Sequence, residues 1–480
     1  MQSLMESAVS IQLTSGIHIH VVGIGGAGMS AIARVLLGRG FRVSGSDKQS
    51  NTQTAALAAE GVTVYIGHAA EHIDGADMVV ISSAVPPTNP EWVAAEARGL
   101  PVLKRADLLG ALMQGAVGVA VAGSHGKTTT TGMIAHILME CGLDPTVILG
   151  GTLAELGGNG RFGDGPHFVV EADEYDYMFL GLRPEVAVIT NVEHDHPDLF
   201  PTADSYRAAF SRFAALLPPG GQLIICADDP GAAELLAEIE SGSIALTTYG
   251  LGEATTGVVP TVRALDTRPN QMGGSDFVVE IDGQTVGLAR IRLPGAHNVR
   301  NALAALAVAT NLQVDFSQAC RALAGFGGVQ RRFQLVGEVG GVTVIDDYAH
   351  HPTEIKATLA AARQRYPGRR LWAVWQPHTF SRTRLLLDQF ANSFAQADRV
   401  IALDIYASRE PVDPSITTAA VVERMGHSHA IHIPDRRNAA DYLLERLHPD
   451  DVVLTLGAGD GDVIGKWILE GLQLQQGNKR

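Results

Sequence analysis

The chain has little of what a disulfide scaffold, a zinc ribbon or a membrane protein requires. Its 480 residues hold three cysteines, Cys141, Cys226 and Cys320, which are far apart and form no CxxC pair. This excludes a disulfide framework and a ribbon-type zinc site, and fits free thiols in a reducing compartment. The longest stretch without a charged side chain, Leu108 to Gly126, contains Gln114, His125 and five glycines. It reads as helix end, strand and loop, so no membrane insertion is expected. There is no basic run either: 36 Lys and Arg stand against 51 Asp and Glu, a net charge of −15. Nucleic acid and anionic membrane are therefore poor partners, although a small phosphorylated ligand needs only a local electropositive site. Met1 to Gly16 lacks a basic n-region and carries Glu6, so it does not read as a secretory signal. A cytoplasmic protein without an obligate protein partner is the expectation.

What is present is an ordinary globular mixture, 46% hydrophobic and 18% charged, with 53 glycines and 22 prolines. The length exceeds what one core serves and suggests about three domains. Residues 17–112 alternate β-rich runs (IHIHVVGI, FRVSGSD, VTVYIG, MVVISSAV) with amphipathic stretches, the first a helix over Met29 to Arg39. A second series runs through GAVGVAVAG (115–123), HFVVEAD (167–173), VAVITNV (186–192) and QLIICAD (222–228). Ala245 to Leu293 changes texture, with alternating FVVEIDGQTVGLARI predicting a hairpin turning at Asp282-Gly283. An Ala-rich helix over Asn298 to Asn311 follows. A third series includes GVTVIDDY (341–348), LWAVWQP (371–377), RVIALDIY (399–406) and DVVLTLGAG (451–459). Apolar strands alternating with helices predict an α/β fold of three domains, 1–112, 113–330 and 331–480, each on a mainly parallel sheet.

Five groups of residues carry chemistry. Gly23, Gly25, Gly26, Ala27 and Gly28 form a G-x-G-x-x-G turn between strand and helix, with Asp47 nineteen residues after its last glycine. Small residues there let backbone N–H groups approach a diphosphate, and Asp47 suits a ribose hydroxyl; a bare strand–helix turn is the alternative. Gly123, Ser124, His125, Gly126, Lys127, Thr128 and Thr129 resemble a P-loop, with Lys127 for β/γ oxygens and Thr128 for Mg²⁺. The strict pattern is broken, because its first glycine falls at Val121.

Glu171-Ala-Asp173-Glu174 and Asn191-Val-Glu193-His194-Asp195-His196 each end an apolar run. Their carboxylates suit Mg²⁺, zinc at His194 and His196 competes, and for Asp173, Glu174 and Glu193 solvated or capping roles stand level with ligation. His297, Asn298 and Asn301 open the Ala-rich helix, where Asn298 either caps it or meets an adenine edge. Asp346-Asp347-Tyr348-Ala349-His350-His351-Pro352-Thr353-Glu354 and Gln376-Pro377-His378-Thr379-Phe380-Ser381-Arg382-Thr383-Arg384 follow two strands of the last domain and suit a carboxylate-bearing substrate. Arg331 and Arg332 precede them, as solvated surface or phosphate contacts.

HVVGIGGAGMS, AGSHGKTTTT, EADE, TNVEHDHPD, PGAHNVRNALAA, QRRFQ, DDYAHHPTE and QPHTFSRT follow one another between about Ile17 and Trp467. In this order they resemble the Mur ligases, ATP-dependent amide-forming enzymes of peptidoglycan precursor synthesis, and among them the alanine-adding members. The resemblance implies Rossmann-like N-terminal and C-terminal domains around a P-loop-type central one. It implies UDP-N-acetylmuramate and L-alanine as substrates, joined through an acyl phosphate, with ATP and Mg²⁺. The N-terminal domain would hold the UDP-sugar, not NAD, on the Gly23–Gly28 loop, with Asp47, His68 and the Ser82-Ser83-Ala84-Val85 turn close by. ATP would lie on Gly123 to Thr129, its adenine against His297, Asn298 and Asn301, with Arg332 on phosphate and Asp347 on the ribose. Thr128 and Glu171 would hold one Mg²⁺, and Glu171 and His196 a second. Tyr348, His350, His378 and Arg382 would line the muramoyl and alanine pocket, with either histidine available to take the amine's proton.

The sequence departs from the family pattern in three places. Thr379 stands where many alanine-adding members have arginine. EADEYDYMF replaces an EADES-type continuation and also occurs in a tripeptide-recycling branch, the runner-up reading. Phe210 aligns with a lysine that some members carbamylate, so no such modification is expected. Ligands on three domains imply a cleft that closes through bending near 112 and 330. Outside the resemblance, an NAD-dependent dehydrogenase or a non-catalytic nucleotide sensor are the competing classes.

Overall fold

A computed structural model of the chain describes residue 13 and residues 16–239, 242–252 and 256–477. Apart from Leu13 and Gly16, the stretch expected not to be a secretory signal lies outside the described residues. Among the described residues no helix is long and apolar enough to cross a membrane.

Three sheets carry the chain. The first has five strands, all parallel, in the order Thr63–Ile66, Arg42–Asp47, His18–Val22, Met78–Ile81, Val102–Lys104. The reversal of strand order beside His18–Val22 opens a crevice at the carboxyl ends, where the glycine turn sits. The second has ten strands and is built around Val117–Ala122, flanked by Val186–Ile189 and His167–Glu171, all parallel. The third has six strands, parallel except for the edge pair Gln334–Val339 and Val342–Asp347. The central strands are buried along their lengths, as expected of unbroken apolar runs covered on both faces.

The predicted hairpin forms between Ser275–Ile281 and Gln284–Ile291, with Asp282 and Gly283 both at positive φ (49° and 77°). Two helix starts differ from expectation. The first helix spans Ala27–Gly38, because Gly26 is already its N-cap. The Ala-rich helix spans Ala296–Asn311 with Gly295 as N-cap, so Asn298 sits inside the first turn and does not cap it.

The joints between sheets differ in kind. Buried apolar side chains run without a break from Ile19 and Val35 through Leu109 and Leu112 to Phe168 and Phe179. Helix Ala27–Gly38 packs on strands Thr146–Leu153 and Gly158–Arg161. Buried Arg34 reaches Asn159 Oδ1 (2.5 Å), and the Asn159 amide donates to Ala27 O and Ser30 Oγ. The first joint is therefore packed like a core, which opposes bending near 112. The third sheet has apolar clusters of its own, and side-chain hydrogen bonds and ion pairs tie it to the second at the site.

Candidate functional site

At the first sheet's carboxyl edge the structure gathers the glycine turn, Asp47, His68 and the Ser82–Val85 turn. Gly23 N and Ile24 N both donate to Ser46 O, and Asp47 Oδ2 accepts from Gly25 N at 2.8 Å. A side chain at Gly25 would put its Cβ 2.7 Å from Asn51 Nδ2 and 2.9 Å from Asp47 Oδ2 and Thr54 Cγ2, and one at Gly28 would displace the Arg105 guanidinium, 2.3 Å away. A Cβ at Gly23 would lie 3.0 Å from that of Ser82 and 3.5 Å from Val85 Cγ2. His68 Nδ1 is 3.1 Å from both Ser46 Oγ and Glu91 Oε2. Arg105, which the sequence reading passed over, also reaches Asp173 Oδ2 at 3.5 Å.

The P-loop-like turn joins Val117–Ala122 to helix Lys127–Glu140 and is held open by glycine: Gly123 has φ 139° and Gly126 φ 80°. Ser124 Oγ donates to Glu193 O, and Thr190 Oγ1 donates to His125 O. Lys127 Nζ lies 2.8 Å from Glu174 Oε2, and Glu174 is 1% exposed. The equal weighting of Glu174 between solvated, capping and liganding roles is thus replaced by a buried ion pair. Burial pushes its carboxyl up, but Lys127 and His196 hold it down at about 2. Thr128 Oγ1 donates to Glu171 Oε1 (3.0 Å), and Gly150 N donates to Glu171 Oε2 (2.7 Å). His196 Nε2 lies 3.6 Å from Glu174 Oε1 and 3.9 Å from Asp195 Oδ2. Glu193 points to His125, at 3.0 Å, and accepts from Thr353 Oγ1 at 2.7 Å. His194 Nε2 is taken by Phe200 O (2.7 Å), away from the ligand chemistry considered for it. Phe210 is fully buried against Phe179 and Tyr206.

The third sheet contributes Tyr348, His350, His378 and Arg382 as one cluster. The Tyr348 and His350 rings are 5.4 Å apart, those of His350 and His378 5.9 Å, and Arg382 Nη1 lies 3.1 Å from His378 Nδ1. Arg382 Nε donates to Asp195 Oδ1 across the sheets at 2.8 Å, with both side chains buried. Burial drives the His350 imidazole down to about 4 and that of His378 to about 3, so both are neutral at pH 7. Arg331 and Arg332 each stack on Tyr348, 5.1 Å from its ring centre. Four of the twelve non-glycine residues at positive φ among the described residues lie here, His196 (53°), Arg331 (59°), Phe333 (48°) and Thr379 (68°), costly conformations that surrounding contacts must impose.

Between the second and third sheets lies a cavity of about 320 Å³. His125, Gly126, Thr129, His297, Asn298, Asn301, Arg332 and Asp347 line it, eight of the residues expected to bind nucleotide. Burial lowers His297 to about 4 and raises Asp347 to about 6, where Asp347 also accepts from Phe333 N and Ala349 N. Asn298 donates to Pro294 O and accepts from Asn301 Nδ2. The wall also includes Glu354, which pattern reading left unassigned and whose only signal was its place at the end of HHPTE.

A line of polar side chains, hydrogen-bonded at its two ends and at ion-pair distance through His196, connects the P-loop-like turn to the third-sheet cluster. It runs from Lys127 through Glu174, His196, Asp195 and Arg382 to His378, at 2.8, 3.6, 3.9, 2.8 and 3.1 Å.

The chain matches three sequence families: "Mur ligase family, catalytic domain" over residues 18–116, "Mur ligase middle domain" over 121–309, and "Mur ligase, glutamate ligase domain" over 331–459. It is 46% identical to UDP-N-acetylmuramate–L-alanine ligase of Salinibacter ruber, over 92% of each chain. It is also 46% identical to the enzyme of that name from Roseiflexus sp., over 95% of this chain and 100% of the relative. Among solved structures, UDP-N-acetylmuramate-alanine ligase of Thermotoga maritima superposes with TM-score 0.79 at 29% identity, covering 96% of this chain and all of that one. A murein peptide ligase from Psychrobacter arcticus gives 0.69 at 26% identity, covering 95% and 99%.

Proposed function

The chain belongs to the Mur ligase family, and from that premise we propose that it joins L-alanine to the lactyl carboxylate of UDP-N-acetylmuramate, converting ATP to ADP and phosphate. The line from Lys127 to His378 supports this reading most directly, because it puts a phosphate-loop cation and a carboxylate-binding arginine on one network. The 46% identity to alanine-adding enzymes over nearly the whole chain favours L-alanine over the tripeptide reading.

A carboxylate is a poor acylating agent because its oxygen does not leave. Transfer of the γ-phosphoryl group to a lactyl oxygen, with ADP leaving, gives an acyl phosphate. The alanine amine then attacks the acyl carbon, and phosphate departs from the tetrahedral intermediate as the amide forms. The protein's task is positioning and charge compensation. Lys127 leaves Glu174 for the β/γ oxygens, Arg332 faces the phosphates and Asp347 the ribose. His297, Asn298 and Asn301 take the adenine end of the cavity. Arg382 binds a substrate carboxylate, with Tyr348 beside it. One of His350 and His378, both neutral at pH 7, takes the proton that the amine loses as it attacks. The Gly23–Gly28 loop, Asp47, His68 and Ser82–Val85 hold the UDP-sugar.

Thr128 and Glu171 supply hard oxygen donors side by side, which fits Mg²⁺, and His196 adds an imidazole nearer Glu174. When bound there, Mg²⁺ offsets triphosphate charge. We assign the UDP-sugar domain to 1–112, the ATP domain to 113–330 and the amino-acid domain to 331–480. Closure bends chiefly near 330, and the enzyme works in the cytoplasm.

The test is phosphate release from Mg-ATP with UDP-N-acetylmuramate, comparing L-alanine, glycine, L-serine and L-Ala-γ-D-Glu-meso-diaminopimelate. Release dependent on both the sugar nucleotide and L-alanine, with the amide found by mass spectrometry, is expected. Release with the tripeptide alone would move the chain to the recycling branch, and no release with any acceptor would overturn the ligase.

A further inference from the structure

Glu354 is the last residue of HHPTE and the third residue of helix Pro352–Arg365. Its two oxygens do different work. Oε2 accepts from the backbone N–H of His350 (2.9 Å) and His351 (3.2 Å), completing the cap of that helix. Capping leaves Oε1 unaccounted for. That oxygen faces Arg332 Nη1 at 3.5 Å and, across the cavity, His125 Nδ1 at 3.4 Å. His125 belongs to the phosphate loop, with its backbone N–H on Asn191 Oδ1 and its carbonyl oxygen accepting from Thr190 and Asn191. Its other ring nitrogen meets Glu193 Oε2 at 3.0 Å, and Glu193 accepts from Thr353 of the third sheet.

We infer that Glu354 is a positioning residue that couples the phosphate loop to the acceptor end of the third sheet, through an ion pair with a cationic His125. The inference rests on the ligase reading for its rate effects, but the pairing stands on geometry alone. Nε2 hydrogen-bonds Glu193, while Nδ1 lies at ion-pair distance from Glu354 Oε1 and has no other partner among the described residues, and two carboxylates flanking one imidazole favour its protonated form. The other titratable groups around it are His351, whose ring centre lies 4.7 Å away and which burial keeps neutral at pH 7, and Asp229. Burial opposes the charge on His125, yet Glu193 and Glu354 raise it to about 10. Glu354 thereby fixes four groups on the two sides of the transfer: His125 on the loop, Arg332 beside the nucleotide, and the backbone of His350 and His351. If the third sheet withdraws, His125 loses one of its two acids, and the loop feels whether the acceptor domain is docked.

Glu354→Gln separates coupling from capping, because the amide oxygen still accepts from His350 and His351 while the charge is gone. The expected result is a kcat lower by about tenfold or more with KM for ATP within about twofold, the signature of lost positioning rather than lost ground-state binding. Melting within a few degrees of wild type would show that the cap is kept. His125→Gln should lower kcat similarly, and the double variant should be no slower than the slower single, since both remove one contact. Unchanged kcat in Glu354→Gln, or losses that multiply in the double variant, would overturn the coupling. Ring NMR of histidine, with the His125 signal identified by its loss in His125→Gln, needs no turnover. In wild type this ring should stay protonated at pH 8, and in Glu354→Gln its titration should move down. A wild-type His125 that titrates near 6.5 would overturn the inference whatever the enzyme's substrates, whereas absent turnover with a protonated His125 would count against the ligase reading alone.

Discussion

Replacing Lys127 tests the phosphate loop twice, once through turnover and once through stability. In the ligand-free protein Lys127 Nζ lies 2.8 Å from Glu174 Oε2, with side-chain exposures of 13% and 1%. Lys127→Ala leaves Glu174 buried with the Tyr206 hydroxyl at 3.2 Å and His196 at 3.6 Å. Breaking a buried pair from one side costs about 3–5 kcal/mol, and the two surviving partners place this case near the lower end. For a cooperative unit of about 150–250 residues, a loss of about 3 kcal/mol lowers the melting temperature by about 6–12 °C. Adding Glu174→Gln removes the stranded charge, so the double variant should recover a substantial part of that loss. Calorimetry without nucleotide reads the stability, and phosphate release should fall by about a hundredfold or more in Lys127→Ala. Lys127→Ala melting within about 2 °C of wild type, or a further drop on adding Glu174→Gln, would refute the stability argument. Near-normal turnover would refute the phosphate assignment.

Gly123→Ala would place a Cβ 1.9 Å from Thr190 Oγ1 at a φ of 139°; calorimetric titration should show ATP affinity down by about tenfold or more, and wild-type affinity would refute the fit. Arg382→Lys cannot reach Asp195 and His378 together, so kcat/KM should fall by about tenfold or more with ATP affinity kept, and an unaffected rate would remove Arg382 from the acceptor pocket. Folded-state imidazoles held down by burial, His297, His350 and His351 at about 4 and His378 at about 3, bind fewer protons than the unfolded chain between roughly pH 4 and 6.5. Stability should therefore fall as pH drops through that window. His125, raised to about 10, acts in the opposite sense: its contribution is complete below 6.5 and is lost as pH rises through 10. A melting temperature that is flat or rising from pH 7 to pH 5 would contradict this. Small-angle scattering with an ATP analogue and UDP-sugar should show compaction from movement of the third sheet only; movement of the first sheet against the second would contradict the packed joint.

Much of the site was legible because its parts are local. Glycine turns between strand and helix announce themselves by spacing, and the structure puts Gly23–Gly28 and Gly123–Thr129 at carboxyl edges of parallel strands, as the patterns require. The hairpin at Asp282-Gly283 was equally readable, since few residues other than glycine and Asp or Asn accept two consecutive positive φ values. Helix starts were misplaced by two residues because Gly26 and Gly295 cap without a side-chain signal. In the sequence Glu174 and Asp195 belong to acidic groups at strand ends and Glu354 to a loop cluster, with no sign of which base each one meets. They become site residues only because Lys127, Arg382 and His125 arrive from elsewhere in the chain.

The sequence by itself determined three α/β series, the two glycine-rich strand–helix turns at Gly23–Gly28 and Gly123–Thr129, and the identity of the groups available for chemistry. Each follows from periodicity or from backbone demands met within a few residues. Tertiary structure alone decided which acid meets which base, from Asp195 with Arg382 across 187 positions to His125 with Glu354. It also decided that the first joint is packed with apolar side chains while charged pairs reach across the second. Local preferences act over one or two turns of chain, whereas burial and ion pairing depend on what the folded chain brings within a few ångströms, and one-dimensional spacing does not carry that distance.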